Sequence, residues 1–164
     1  MRKTESSQSD LGGAFIDDIV INPTSRDDIP ALLIGLQYLY TNRQLREKTF
    51  ALLDAEVNPK ALKDTVRTGM ELWRILTLAI VKVGLNCDYD RLTHIANYDN
   101  LVRQMMRQGS LDHAYERQTV ADNVRQLSAE LLVQVHQLLA EAGYDVVRKK
   151  AWRNIAQVHR SDSR

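Results

Sequence analysis

GMELWRILTLAIVKVGL, residues 69–85, is the stretch on which the fold turns. Met70, Trp73, Leu76, Ile80 and Val83 fall on one helical face, and Leu72, Ile75 and Ala79 cover much of the rest. Its polar residues keep to a narrow stripe through Glu71, Arg74 and Lys82. A helix that is apolar on most sides needs neighbours on most sides. The stretch is too short and too charged for a bilayer, which takes about 20 mainly apolar residues. It predicts the central helix of a small helical domain.

Upstream, residues 58–68 (NPKALKDTVRT) form a basic connector carrying Lys60, Lys63 and Arg67. It reads as a solvated linker or as a strip that contacts phosphates. Before it, Ile29, Leu32, Leu33, Leu36 and Tyr40 give a helical stripe. Asp27 and Asp28 suit the positive end of the helix dipole, and Pro30 suits the first turn. Gly35 costs about 1 kcal/mol relative to Ala inside a helix, so its place there points to a close helix crossing. Thr41-Asn42 is a break and a cap. A second helix to Glu56 turns Leu45, Thr49, Leu52 and Leu53 inward, which makes an αα-hairpin. Residues 1–24 read as a disordered polar leader followed by a strand or extended arm through Phe15, Ile16 and Ile19 to Ile21.

Downstream, Gly84-Leu85-Asn86 stops the central helix. Residues 88–96 predict a short helix with Leu92, Ile95 and Ala96 inward, and Asn97-Tyr98-Asp99 a tight turn. Residues 101–108 predict a second short helix ended by Gly109, with Arg103 and Arg107 four apart on one face. Helix, turn and short basic helix outline a helix-turn-helix. Thr119, Val120, Asn123, Val124 and Leu127 stripe another helix. The next starts at the N-cap Ser128, runs through Leu131, Leu132, Val135, Leu138 and Leu139, and ends at Gly143. Residues 144–164 read as a basic tail with Arg148, Lys149, Lys150 and Arg153, either fraying or an arm for phosphates or an acidic partner, with a weak amphipathic stripe through Val147, Ala151, Ile155 and Val158.

The chain has 164 residues, 44% of them hydrophobic, with a net charge of +1, so any anion-binding surface is a local patch. The lone Cys87 precludes an intrachain disulfide and fits a reducing compartment. No secretory leader opens the sequence, so the cytoplasm is the expected location. The search for chemistry returns no catalytic residue, metal site, cofactor or small-molecule substrate. Cys87 and His94 have no second ligand pair, His94, His113, His136 and His159 are scattered, and no phosphate-binding or hydrolase motif is present.

Four stretches resemble the N-terminal region of bacterial insertion-sequence transposases of the ISNCY type. They are SRDDIPALLIGLQYLY (25–40), FALLDAEV (50–57), GMELWRILTLAIVKVGLNCDYDRLTHIAN (69–97) and QTVADNVRQLSAELLVQVHQLLAEAG (118–143). In that family a helical region for DNA-end binding and assembly precedes an RNase-H-like domain with an Asp-Asp-Glu triad. Here VRTG (66–69) stands where the family has a Gly-Arg-Pro-Gly-like run, and nothing matches beyond Lys150. The resemblance therefore implies a copy truncated before its catalytic domain, and carries over no catalytic residue.

The expectation is an all-α, small multi-helix bundle with a helix-turn-helix-like segment and flexible termini, its helical domain spanning residues 25–143. It would act as a DNA-binding and assembly module, not as an enzyme. Its partner would be insertion-sequence ends, contacted by Lys60, Lys63, Arg67, Arg103 and Arg107, with Lys149 and Lys150 in reserve. The alternatives are an interaction module that pairs with a second copy or with an intact transposase, and a relic without a role. No membrane partner is expected.

Overall fold

The computed structural model describes residues 15–57, 70–109 and 112–158. Among them are eight α-helices and no strand: α1 (Asp28–Thr41), α2 (Arg43–Val57), α3 (Leu72–Leu85), α4 (Tyr89–Tyr98), α5 (Asn100–Met105), α6 (Arg117–Val124), α7 (Ala129–Glu141) and α8 (Lys150–Ala156). Two 3₁₀ turns, Ile16–Asp18 and Asp145–Arg148, flank the bundle. The all-α class read from the sequence is the observed one.

Two helices share the centre. α3 buries Trp73, all of residues 75–81, and Gly84. α1 buries Leu32, Leu33, Leu36 and Leu39 without any solvent exposure. Both therefore carry apolar side chains on nearly every side, and both are surrounded: α1 touches α2, α3, α5, α7 and α8. Tyr40, placed on the inward stripe by periodicity, is half-buried and meets Trp73 edge-on at 4.9 Å between ring centroids.

Two glycines set the crossings at this centre. A Cβ on Gly84 would lie 2.5 Å from Leu32 Cδ2, so α1 and α3 meet there in near-backbone contact. A Cβ on Gly35 would lie 2.6 Å from Trp152 Cε2 and 2.8 Å from its Nε1. The indole of α8 thus lies against bare α1 backbone. Helix propensity alone gives Gly35→Ala a gain of about 1 kcal/mol. The expected result is a net loss of about 1–3 kcal/mol, the usual cost of overpacking a filled core. Urea titration followed by circular dichroism measures the sign.

Both outer segments are docked. Ile16 and Ile19 are buried, and Gln37 Nε2 donates to the carbonyls of Ile16 and Ile19 at 2.9 and 3.0 Å. The arm expected from the sequence is thus held on α1, as a 3₁₀ turn and extended chain. Residues 144–158, read as part of a basic tail, belong to the bundle. Tyr144 stacks on Tyr38 with centroids 4.0 Å apart. Ala151, Trp152 and Ile155 have no exposure, and Asn154 Nδ2 donates to Gly84 O at 2.8 Å.

Local sequence sets the helix ends. The side chains of Asn42, Asp88, Asp99 and Ser128 accept backbone N–H bonds at the starts of α2, α4, α5 and α7. Three C-termini close through a left-handed residue: Asn86 (φ 54°), Arg107 (φ 58°) and Gly143 (φ 86°). In each, the following N–H returns to the last turn, Cys87 to Lys82, Gln108 to Arg103 and Tyr144 to Leu139. The helix expected over residues 101–108 therefore ends at Met105, and Arg107 is its closing residue.

Candidate nucleic-acid interface

Lys60, Lys63 and Arg67 lie outside the described residues. Arg103 and Arg107 do not share an outward helical face, contrary to the sequence expectation. Arg107 sits past the end of α5 in left-handed backbone and is half-buried. Arg103 turns back, with Nη1 donating to Asn97 O at 3.2 Å and Nη2 to Gly109 O at 3.0 Å.

The reason is the loop that follows α5. A helix C-terminus leaves carbonyls without intrahelical donors, at the negative end of the dipole. α3 supplies donors for them. Trp73 Nε1 donates to Met105 O at 3.0 Å, Arg74 Nε to Met106 O at 2.8 Å and Arg74 Nη2 to Arg107 O at 3.2 Å. Arg74 Nη1 donates to Tyr115 Oη at 2.9 Å, and Asp112 lies 3.8 Å from the same guanidinium. Asn97 pairs with Tyr115 backbone in both directions, at 2.8 and 3.0 Å. These arginines are braces. α5 has six residues, about 9 Å of helix, with Val102 and Met105 buried. It joins α4 through Asp99 but presents no basic outer face.

The reserve pair stands differently. Lys149 and Lys150 are exposed, as are Arg148 and Arg153 beside them. None of the four has an ion-pair partner among the described residues. Three other exposed arginines are paired, Arg43 with Glu47 at 3.3 Å, Arg117 with Asp90 at 2.6 Å and Arg125 with Asp122 at 3.8 Å; Arg26 and Arg91 are exposed as well, but each stands singly in the chain. The side of α8 opposite its cations is fixed by Trp152, whose Nε1 donates to Ala31 O at 2.9 Å. Four uncompensated cations within six residues thus sit on a rigid support. Arg148 and Arg153 were legible as charges in the tail; the signal that they belong to a platform was Ala151-Trp152 followed by Ile155, an i, i+1, i+4 apolar set.

Elsewhere the surface offers less. Among the described residues no three His, Cys, Asp or Glu side chains gather as for a metal ion. Burial pushes the Cys87 thiol up, against the pull of Arg91 and Lys82, which disfavours the nucleophilic thiolate. Burial pulls His136 down, partly offset by a bond to the Val147 backbone. A groove of about 450 Å³ runs between α2 and α7 past Leu52 and Leu138. No helix among the described residues is long and apolar enough to cross a membrane.

What fold and surface define together is an all-α bundle with a run of four exposed cations on α8 and the turn before it. The chain matches no protein-family model, no curated protein and no solved structure.

Proposed function

We propose that this chain is a DNA-binding and assembly module of the kind that precedes the catalytic domain in the insertion-sequence transposases it resembles. In this reading it supplies contact, and the chemistry on DNA belongs to an intact transposase. The observation that supports it is the strip Arg148, Lys149, Lys150 and Arg153, exposed and unpaired on a buried anchor. With a net charge of only +1, attraction to a polyanion has to come from such a patch. Each phosphate neutralised releases counterions, so log K falls linearly with log salt, by about 0.9 per contact.

The expected result is salt-dependent binding of a labelled duplex carrying the element end, with a slope of about −3 or steeper for three to four contacts. Lys149→Gln with Lys150→Gln lowers the slope by about 2 and weakens element-end and random DNA alike, because phosphate contacts carry no sequence. Fluorescence anisotropy from about 50 to 200 mM salt is the measurement. Absent or salt-insensitive binding rejects the reading.

A further inference from the structure

A second group of cations converges away from α8. Lys82 Nζ, Arg125 Cζ and Arg117 Cζ lie 4.8, 5.1 and 5.9 Å from the centroid of the Tyr89 ring. They come from three places in the chain: the last turn of α3, the residue after α6, and the first residue of α6. Like charges brought around one point repel unless something answers them. The ring's quadrupole attracts cations only over its two faces, so it does not answer three. Asp90 bonds Arg117 at 2.6 Å, and Asp122 pairs more loosely with Arg125 at 3.8 Å. Lys82 has no carboxylate partner among the described residues. The Arg117 and Arg125 side chains are 52% and 58% exposed, so the guanidinium groups are open to a ligand.

We infer that the Lys82–Tyr89–Arg117–Arg125 cluster is a second phosphate-contact site, taking the sugar-phosphate backbone of a nucleic acid. The inference rests on the DNA-binding reading above and assigns it a place that reading does not use. Tyr89 belongs to α4, and Arg117 and Arg125 to α6 and its C-cap, whereas α8 packs on α1, α3 and α7. The two groups of cations are therefore separate, and their contributions to binding add. Tyr89 fixes the spacing of the cations, and an anion beside Lys82 and Arg125 supplies the partner that Lys82 lacks. Two carboxylates within the cluster keep its net charge small, which makes it a contact for one or two phosphates and not a strong polyanion trap.

The test is the salt dependence of binding to a short labelled duplex of random sequence. Lys82→Gln with Arg125→Gln lowers the slope by about 2 and raises Kd roughly tenfold at low salt. Lys82→Arg with Arg125→Lys, which keeps both charges, binds as the unaltered protein does. Lys82→Met keeps the aliphatic stem over Tyr89 and lowers the slope by about 1; unchanged helicity by circular dichroism accompanies each measurement. Combining Lys82→Gln and Arg125→Gln with Lys149→Gln and Lys150→Gln lowers the slope by the sum of the two pairs. If the unaltered protein binds steeply with salt and the Lys82 variants bind identically, the cluster is no phosphate site while the DNA-binding reading stands. If the unaltered protein binds no duplex at low salt, both fall.

Discussion

Trp152→Ala lowers folding stability by about 3–5 kcal/mol, a large part of the 5–15 kcal/mol typical of a domain. The indole is fully buried against α1, and its N–H satisfies Ala31 O at 2.9 Å. Removing it leaves a cavity over Gly35, where no neighbouring Cβ stands ready to collapse inward. Trp152→Phe retains most of the apolar volume, loses the hydrogen bond, and costs less, about 1–2 kcal/mol. Urea denaturation of both variants gives the two values. An unaltered midpoint for Trp152→Ala would mean that α8 is not seated on α1.

Arg74→Met is the second large effect, about 2–4 kcal/mol. One guanidinium answers two terminal carbonyls of the α5 end and the Tyr115 hydroxyl, at 2.8, 3.2 and 2.9 Å. Methionine fills similar space and answers none of them. The loss is local in its first stage: amide exchange accelerates through residues 100–109 and 112–116, while α1, α3 and α8 keep their protection. Arg74→Lys does not restore it, because a single ammonium cannot reproduce the planar fork that reaches three acceptors. Uniform acceleration across the whole bundle would contradict this local role.

The legible parts of the fold are those where one kind of residue pattern dominates. α3 and α7 follow from apolar periodicity, and the caps at Asn42 and Ser128 from short polar side chains placed before a stripe. α1 was read with one apolar face through Tyr40, whereas Leu39 is among its fully buried residues. A stripe drawn for one neighbour misses residues that face a second, and α1 has neighbours all round. α8 is legible only as a weak amphipathic stripe through Val147, Ala151, Ile155 and Val158, because its seven residues include Lys150 and Arg153 and the buried Trp152 lies off that stripe. The end of α5 was misplaced because Gly109 looked like the stop. Arg107 took the left-handed position instead, at a local cost of about 1–2 kcal/mol for a residue with a Cβ, and Arg74 bonds its carbonyl.

The same physics explains why the candidate interface was only half legible. Sequence counts arginines but does not say which carbonyls lack donors. Arg103 and Arg74 were drawn inward by the unsatisfied ends of α4 and α5, a demand set by loop geometry. Lys149, the N-cap of α8, and Lys150, about 200° from the buried Trp152, are both exposed, so their solvation matches the simple reading of a charged run.

The bond between Trp152 and Ala31 spans 121 positions of chain. At a synthesis rate of about 5–20 residues per second, roughly 6–24 s separate the appearance of those two residues at the ribosome. Throughout that interval the slot over Gly35 that the indole fills stays open. Nascent chains therefore carry this apolar slot open to solvent until Trp152 has been made.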